Sequence, residues 1–370
     1  MHEHEHNHEE GQQSLLELDE VMRAFGVKSW SNLGSLESGH AGELLQLLME
    51  IEGKRYVLRE RPEGLVAQEG GHHYAFQRYL IGHGIPIAPL WETPQGEPYV
   101  LIGDGNGEDT ADAFELQEWV EGELFANADA RESSWISAAG EMLGRIHQAS
   151  RSYLGPQYRW PSEVQAGGLT QGWLNFARGQ AEQCEVYAIT AALSNLVDAW
   201  ERALPAAMMA IGSGRGLPEL HIHGDYSALN LRFTSRGVSQ VLGLEASRWE
   251  KRLLEVAYGV FYFAGLRWER EESLTRPLVK RGLDPIRAGL FLRGYASVFP
   301  PVPGEAELLV DALTLVAPII TANGPLEDLF YQTESLEDLP LEDMLERLAW
   351  AAALPNWLNK VRRSFAEMWK

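Results

Sequence analysis

A short β-prone island inside a mostly helical region is the sequence feature that most restricts the fold. Residues 221–233, HIHGDYSALNLRF, and residues 237–247, GVSQVLGLEAS, hold apolar residues around a polar centre. On either side, in residues 134–150 and 290–298, apolar residues recur at helical spacing. The pattern predicts a helical domain with a short hairpin that presents polar loop side chains.

The first third of the chain is different because it is rich in strands. Glu52–Gly53–Lys54 separates two β-prone runs and predicts a hairpin turn. A helix is expected near Tyr74–Ile81. The acidic, glycine-containing segment DGNGEDTADA separates the apolar runs EPYVLIG and AFELQEWV, as in a long hairpin. With a linker near Glu118–Gly122, we predict a disordered His- and Glu-rich tail (1–14), a sheet-rich lobe (15–121) and a larger helical lobe (122–370).

Charge and composition restrict the partners of this chain. Its 370 residues are 45% hydrophobic with a net charge of −22, which disfavours a nucleic-acid partner and favours cationic small molecules. No run approaches the ~20 apolar residues that span a bilayer, so we expect no membrane partner and a cytoplasmic location. Cys184 is the single cysteine, which excludes an internal disulfide. The alternating histidines of the tail predict a solvated segment or, alternatively, a loose metal chelator.

The strongest motif is His223-Gly-Asp-Tyr-Ser-Ala-Leu-Asn230. It has the form H-x-D-x-x-x-x-N, the spacing of the protein-kinase catalytic loop. In that chemistry the Asp orients the acceptor hydroxyl and takes its proton, and the Asn holds a Mg²⁺ that bridges the nucleotide phosphates. The alternative is a turn in which Asp225 and Asn230 make only local hydrogen bonds to the backbone.

In its order of segments the sequence resembles the aminoglycoside phosphotransferase and choline kinase-like family. The similar segments, in chain order, are RYVLRERPEG, FQRYLIGHGIPIAP, LQEWVEGE, GEMLGRIHQAS, HGDYSALNL and LGLEAS followed by LLEVAYGVFYFAG. The resemblance implies an α+β, bilobal protein-kinase-like fold, with a small antiparallel-sheet N-lobe containing one helix and a larger helical C-lobe. It also implies that ATP binds through the N-lobe.

The resemblance further implies a role for individual residues. Asp225 would be the catalytic base, Asn230 and Glu245 would be Mg²⁺ ligands, and His223 would brace the loop. Arg59 would contact phosphate. The remaining nucleotide contacts would come from the Glu118 carbonyl and the Val120 amide at adenine, and from Ser38 and Gly39 within SLESGHAG over the phosphates.

The function that the resemblance implies is transfer of the ATP γ-phosphate to a hydroxyl of a small-molecule acceptor, with a cationic aminoglycoside- or choline-like molecule as one candidate. The acceptor site is expected within residues 150–215 and 265–340. Three differences from the family leave a second function open, a nucleotide-binding or scaffolding protein without catalysis: Glu245 replaces Asp, Arg59 replaces Lys, and His73 stands where a helix glutamate is expected. Other candidates for two of these roles are Glu250 and Glu255 for the metal, and Arg55 and Arg61 for phosphate.

Overall fold

The computed structural model describes residues 18–36, 46–61, 71–103, 112–125, 131–159, 166–214, 216–267, 278–279, 283–318 and 341–370. The chain divides into two compact units, residues 1–121 and residues 122–370. We call them unit 1 and unit 2. Within the described ranges, no helix combines the length and the apolar character needed to cross a membrane.

Unit 1 is built on a five-stranded antiparallel sheet with the order β1-β2-β3-β5-β4. Its strands are β1 (Ser31–Ser35), β2 (Gln46–Ile51), β3 (Lys54–Arg61), β4 (Val100–Ile102) and β5 (Asp112–Glu118). Glu52 and Gly53 join β2 to β3 with φ values of 52° and 76°. Two consecutive left-handed residues suit a tight two-residue turn, so the predicted hairpin is confirmed. The predicted pairing of the two later runs is also confirmed, as β4 and β5.

The two faces of this sheet have different partners. One face carries Leu47, Met49, Leu58 and Leu116, which pack with Val21 and Met22 from helix α1 (18–24) and with Phe25 just after it. Strand alternation places Arg59 and Glu115 on the other face, where they are cross-strand partners. The second helix, α2 (His72–Gly82), confirms the prediction near Tyr74–Ile81. The described part of unit 1 therefore has two helices.

Unit 2 is largely helical. Its helices are α3 (Glu132–Ser150), α4 (Ala166–Gln183), α5 (Tyr187–Ser213), α6 (Arg252–Val260), α7 (Pro285–Val298), α8 (309–318) and α9 (Leu341–Met368). Helices α3 and α7 pack closely because glycines line their contact. A Cβ on Gly140 would lie 2.0 Å from the Phe291 carbonyl oxygen, and one on Gly294 would lie 2.2 Å from that of Ser137.

Two small antiparallel sheets form the β island of unit 2. Strand β6 (Glu219–Ile222) pairs with β9 (Arg248–Lys251), and β7 (Leu231–Thr234) pairs with β8 (Gly237–Val241). The sequence predicts one hairpin, and the structure adds β9 as a partner for β6. Residues 223–230, which we call the acidic loop, connect the two sheets.

Candidate active site

The structure brings Asp225 and Asn230 together in the acidic loop. Asn230 Nδ2 donates a hydrogen bond to Asp225 Oδ2 at 2.6 Å and another to the Asp225 carbonyl oxygen at 2.8 Å. The Asn230 N–H donates to the Ser227 carbonyl at 3.2 Å, which closes a turn inside the loop. Asn230 is buried, whereas Asp225 is half-buried. The loop thus exposes a carboxylate and holds an amide beside it.

His223 joins the acidic loop to the end of β8. Its Nε2 donates to the Leu242 carbonyl at 2.7 Å, and its Nδ1 accepts from the Asp225 N–H at 3.2 Å. The backbone N–H of Asp225 can only donate, so the proton is on Nε2. These contacts support the bracing role that the sequence predicts for His223.

A buried pair, Glu255 on α6 and His147 on α3, anchors the backbone of the loop. Sequence reasoning named Glu255 only as an alternative metal acid and missed this pairing. The Glu255 carboxylate accepts hydrogen bonds from the backbone N–H groups of His223 at 3.0 Å and Gly224 at 2.5 Å. It also accepts one from His147 Nε2 at 2.7 Å, and Tyr295 Oη lies 2.8 Å from His147 Nδ1. The signal was present in the sequence, since an acid and a histidine in apolar helical stretches need hydrogen-bond partners when buried.

The protonation states of this pair follow from its surroundings. Burial pushes the pKa of Glu255 upward, but the hydrogen bonds from His147 and from the Gly224 N–H, with His223 nearby, outweigh it and leave the pKa below its usual value. Burial lowers the pKa of His147, although Glu255 opposes this. We conclude that a carboxylate and a neutral imidazole anchor the acidic loop at neutral pH.

Glu245 lies beyond the strand at whose end the sequence predicts it. Strand β8 ends at Val241, and Glu245 is the central residue of a 3-10 turn, Leu244–Ala246, that begins after Gly243. Gly243 has a φ of 75°, so the chain leaves the strand there through the left-handed region. The expectation of a strand-end acid is therefore wrong by one turn, because the glycine ends the extended run.

This turn is seated against the acidic loop at both of its ends. An ideal Cβ on Gly243 would lie 2.6 Å from Asn230 Cγ, and one on Gly224 would lie 1.9 Å from the Ala246 carbonyl oxygen. Arg248 ties the two segments, since its Nη1 donates to the carbonyls of Gly224 at 3.2 Å and Ala246 at 3.1 Å. Half-buried Glu245 lies between these contacts and therefore beside the stretch of loop that contains Asp225 and Asn230.

The donors of this region suit a small hard cation that arrives with phosphate. The described residues contain no group of three or more His, Cys, Asp or Glu side chains arranged to hold a metal ion by themselves. Mg²⁺ needs less from the protein, because it is usually bound by one or two side-chain oxygens, substrate phosphates and water. The amide oxygen of Asn230 and the carboxylate of Glu245 fit that requirement.

In unit 1, Arg59 is a half-buried cation with spare hydrogen-bonding capacity. Its Nε is buried and has no hydrogen-bond acceptor within the described ranges. Burial and, to a smaller extent, Arg61 lower the pKa of Arg59 to about 10, while Glu115 opposes them. A desolvated guanidinium of this kind is suited to bind an anion such as phosphate in a bidentate way.

The acid near Arg59 comes from β5 rather than from α2. Glu115 Oε2 accepts from Arg61 Nε at 2.9 Å, and its Oε1 accepts from the Tyr74 hydroxyl at 2.5 Å. On α2, burial lowers the pKa of His73 to about 4, so this histidine is neutral. It therefore does not replace the negative charge of the helix glutamate that the family resemblance leads one to expect there. The sequence signal for Glu115 was an acid within the apolar run AFELQEWV, but its position opposite an arginine follows only from the β3–β5 register.

The predicted adenine contacts lie where β5 ends. The Glu118 N–H donates to the Pro89 carbonyl at 3.3 Å and the Trp119 N–H to the Arg55 carbonyl at 2.9 Å, which fixes the chain just before Val120. Glu118 and Val120 are both half-buried. Their contacts with adenine remain a prediction. Ser38 and Gly39 lie outside the described residues.

Comparison with known families identifies the family of this chain. A model of the phosphotransferase enzyme family matches residues 45–276, more than half of the chain. The chain belongs to this family. The match extends from β2 through the acidic loop and past Glu255, so it spans Arg59, Asp225, Asn230 and Glu245 but not Ser38 and Gly39. The predicted enzyme class, an ATP-dependent small-molecule phosphotransferase, is confirmed at the level of the family.

Solved structures confirm the predicted fold, which is α+β and protein-kinase-like. Amicoumacin kinase hAmiN, in complex with AMP-PNP, Ca²⁺ and Ami, is 15% identical over 93% of each chain, with a TM-score of 0.62. An aminoglycoside phosphotransferase from Alicyclobacillus acidocaldarius is 17% identical over 94% of this chain and 96% of its own, with a TM-score of 0.61. Choline kinase from Cryptosporidium parvum is 12% identical over 91% of each chain, with a TM-score of 0.55. No curated protein matches the sequence.

Proposed function

We propose that this chain transfers the γ-phosphoryl group of ATP to a hydroxyl of a small-molecule acceptor. The observation that carries the proposal is the acidic loop itself. Its Asp225 carboxylate lies 2.6 Å from the Asn230 amide, and the buried carboxylate of Glu255 anchors the loop backbone. Positioning of this kind is the main contribution that a protein makes to phosphoryl transfer.

In this mechanism each residue has one task. Asp225 accepts the proton of the acceptor hydroxyl while the hydroxyl oxygen bonds to the γ-phosphorus. The bond from that phosphorus to the β–γ bridging oxygen breaks, which releases ADP. Asn230 and Glu245 would hold Mg²⁺, which when bound neutralises phosphate charge. Arg59 would bind a phosphate oxygen, and His223 and Glu255 keep the loop in place. The net charge of −22 favours an acceptor that carries amines.

The test is a turnover assay on Asp225→Asn with a panel of hydroxylated amines, sugars and antibiotics, read by ADP release. We expect turnover to fall by at least about two orders of magnitude, because a general base contributes that much. ATP-induced thermal stabilisation should survive. Asp19→Asn is the matched control, because Asp19 is an exposed acid on α1, outside the segments in which the acceptor site is expected. Equal turnover in wild type and Asp225→Asn would remove Asp225 from the mechanism.

A second candidate is a nucleotide-binding protein without catalysis. The position of Glu245 favours it, since this acid lies in a 3-10 turn after β8 and carries one methylene more than aspartate. The same experiments separate the two functions. Mg²⁺-dependent stabilisation by ATP, without ADP release for any acceptor of the panel, would support the second.

A further inference from the structure

Gly243 occupies a position that faces the Asn230 amide directly. An ideal Cβ at residue 243 would lie 2.6 Å from Asn230 Cγ and Nδ2 and 2.7 Å from its Oδ1. No real Cβ comes so close, so any side chain at 243 would share the space of this amide and displace it slightly. The backbone thus offers a second side-chain position on the candidate cation site, and glycine leaves it without a donor.

The backbone conformation at Gly243 favours asparagine and aspartate over the other non-glycine residues. Gly243 has φ 75° and ψ 41°, the left-handed region, where asparagine and aspartate are the most tolerated residues after glycine. The preceding residue is held at both polar groups, because the Leu242 N–H donates to the Asn230 carbonyl at 2.9 Å and its carbonyl accepts from His223. A substitution at 243 would therefore move the Asn230 side chain rather than the main chain.

The charges around this position determine what a carboxylate would do there. Asp225 lies within hydrogen-bond distance of Asn230, and Glu245 follows two residues after Gly243. A further carboxylate would repel these acids in the absence of a cation and would attract a divalent cation strongly when one is present. The affinity of oxygen sites for divalent cations rises with the number of charged ligands.

We propose that position 243 is a ligand position of the cation site that glycine leaves empty, so this chain binds a divalent cation more weakly than its backbone permits. The inference rests on the proposed function only for the location of the cation beside Asn230. On this inference, residues 243 and 245 together determine how tightly the chain binds Mg²⁺. All the residues on which the inference rests belong to unit 2.

The test compares Gly243→Asp with Gly243→Asn in the full-length chain without nucleotide. Both side chains have the same shape and displace the Asn230 amide equally, so their difference isolates the charge. Mn²⁺ binding is measured by the EPR signal of free Mn²⁺, and stability by melting with and without Mg²⁺. We expect Gly243→Asp to bind Mn²⁺ at least about tenfold more tightly than wild type or Gly243→Asn. Without a cation Gly243→Asp should melt below Gly243→Asn, and Mg²⁺ should reverse that order.

Two results would overturn the inference. The first is equal Mn²⁺ affinity in the two variants, with no reversal of melting order. The second does not depend on the Gly243 variants. We expect wild-type Mn²⁺ affinity near the millimolar range; micromolar affinity that Asn230→Ala removes, and that the His-rich tail therefore does not supply, would show that no ligand is lacking. Neither result depends on turnover, so a failure here is distinct from a failure of Asp225→Asn to lose activity.

Discussion

Replacing Glu255 by glutamine is expected to loosen the acidic loop while most of unit 2 stays folded. The carboxylate accepts from three N–H groups, those of His223 at 3.0 Å, Gly224 at 2.5 Å and His147 Nε2 at 2.7 Å. A glutamine has one carbonyl oxygen, and its NH₂ group would point a donor at a donor. At least one buried N–H then loses its acceptor, and the other bonds lose the charge of theirs.

The magnitude follows from these contacts. A buried donor left without an acceptor costs about 1–3 kcal/mol, and a hydrogen bond to a charged acceptor contributes about 1.5–3 kcal/mol. We therefore expect the free energy of unfolding of unit 2 to fall by about 3 kcal/mol in Glu255→Gln. Urea unfolding measures this loss. Hydrogen exchange followed by mass spectrometry, on peptides that cover residues 219–230, measures the loop itself.

A matched control separates the loop contacts from the loss of a buried charge. Asp311 on α8 is also buried, but its carboxylate accepts hydrogen bonds from Arg362 on α9. Asp311→Asn should leave exchange in the acidic loop unchanged. In Glu255→Gln the amides of His223 and Gly224 should exchange faster. If the loop exchanges at the wild-type rate in Glu255→Gln, Glu255 stabilises α6 but does not hold the loop, and the reasoning fails.

Two further predictions concern unit 1. Arg59→Met should raise the free energy of unfolding by about 1 kcal/mol, because it removes a desolvated cation, and should weaken ATP binding by calorimetry. Arg55→Met, at an exposed residue of the same strand, should change neither, and equal ATP affinity in Arg59→Met would refute the phosphate role. His73 has its folded pKa near 4, below the unfolded value, so the unfolded chain takes up protons first and stability falls as pH drops below about 6.5. Between about pH 8 and pH 5.5 the contribution of His73 lowers the free energy of unfolding by ~1.4 kcal/mol. Urea unfolding of His73→Phe over the same pH range should lack this contribution.

Local chemistry explains which parts of the fold could be predicted from the sequence. The β2–β3 hairpin follows from Glu52–Gly53, since a two-residue turn with both φ angles positive favours glycine. Helix α2 follows from apolar spacing, and its end follows from the turn at His83 and Gly84. The spacing of Asp225 and Asn230 is also local, because five residues of one loop determine it. In each case a few adjacent residues contain the whole signal.

The rest depends on contacts between residues far apart in the chain. Strand β9, with the sequence RWEK, has the composition of a surface segment, and only its pairing with β6 about thirty residues earlier makes it a strand. Glu255 meets His147 across more than a hundred residues. Glu115 satisfies Arg61 only because β5 pairs with β3. A single sequence shows that such acids need partners, but it does not show which partners.

The contacts that hold the acidic loop and the residues that would do its chemistry are different groups, which limits what family membership implies. Glu255, His147 and Tyr295 are buried, hydrogen-bonded to one another and fixed by packing, so they preserve the shape of the loop in any chain that keeps them. The candidate cation donors are Asn230 and Glu245, and Gly243 beside them has no side chain to donate. A chain can therefore keep the anchored loop and still bind a cation weakly. For this reason direct measurement of cation binding at residues 243–245 is a stronger test of catalysis than any further similarity of fold.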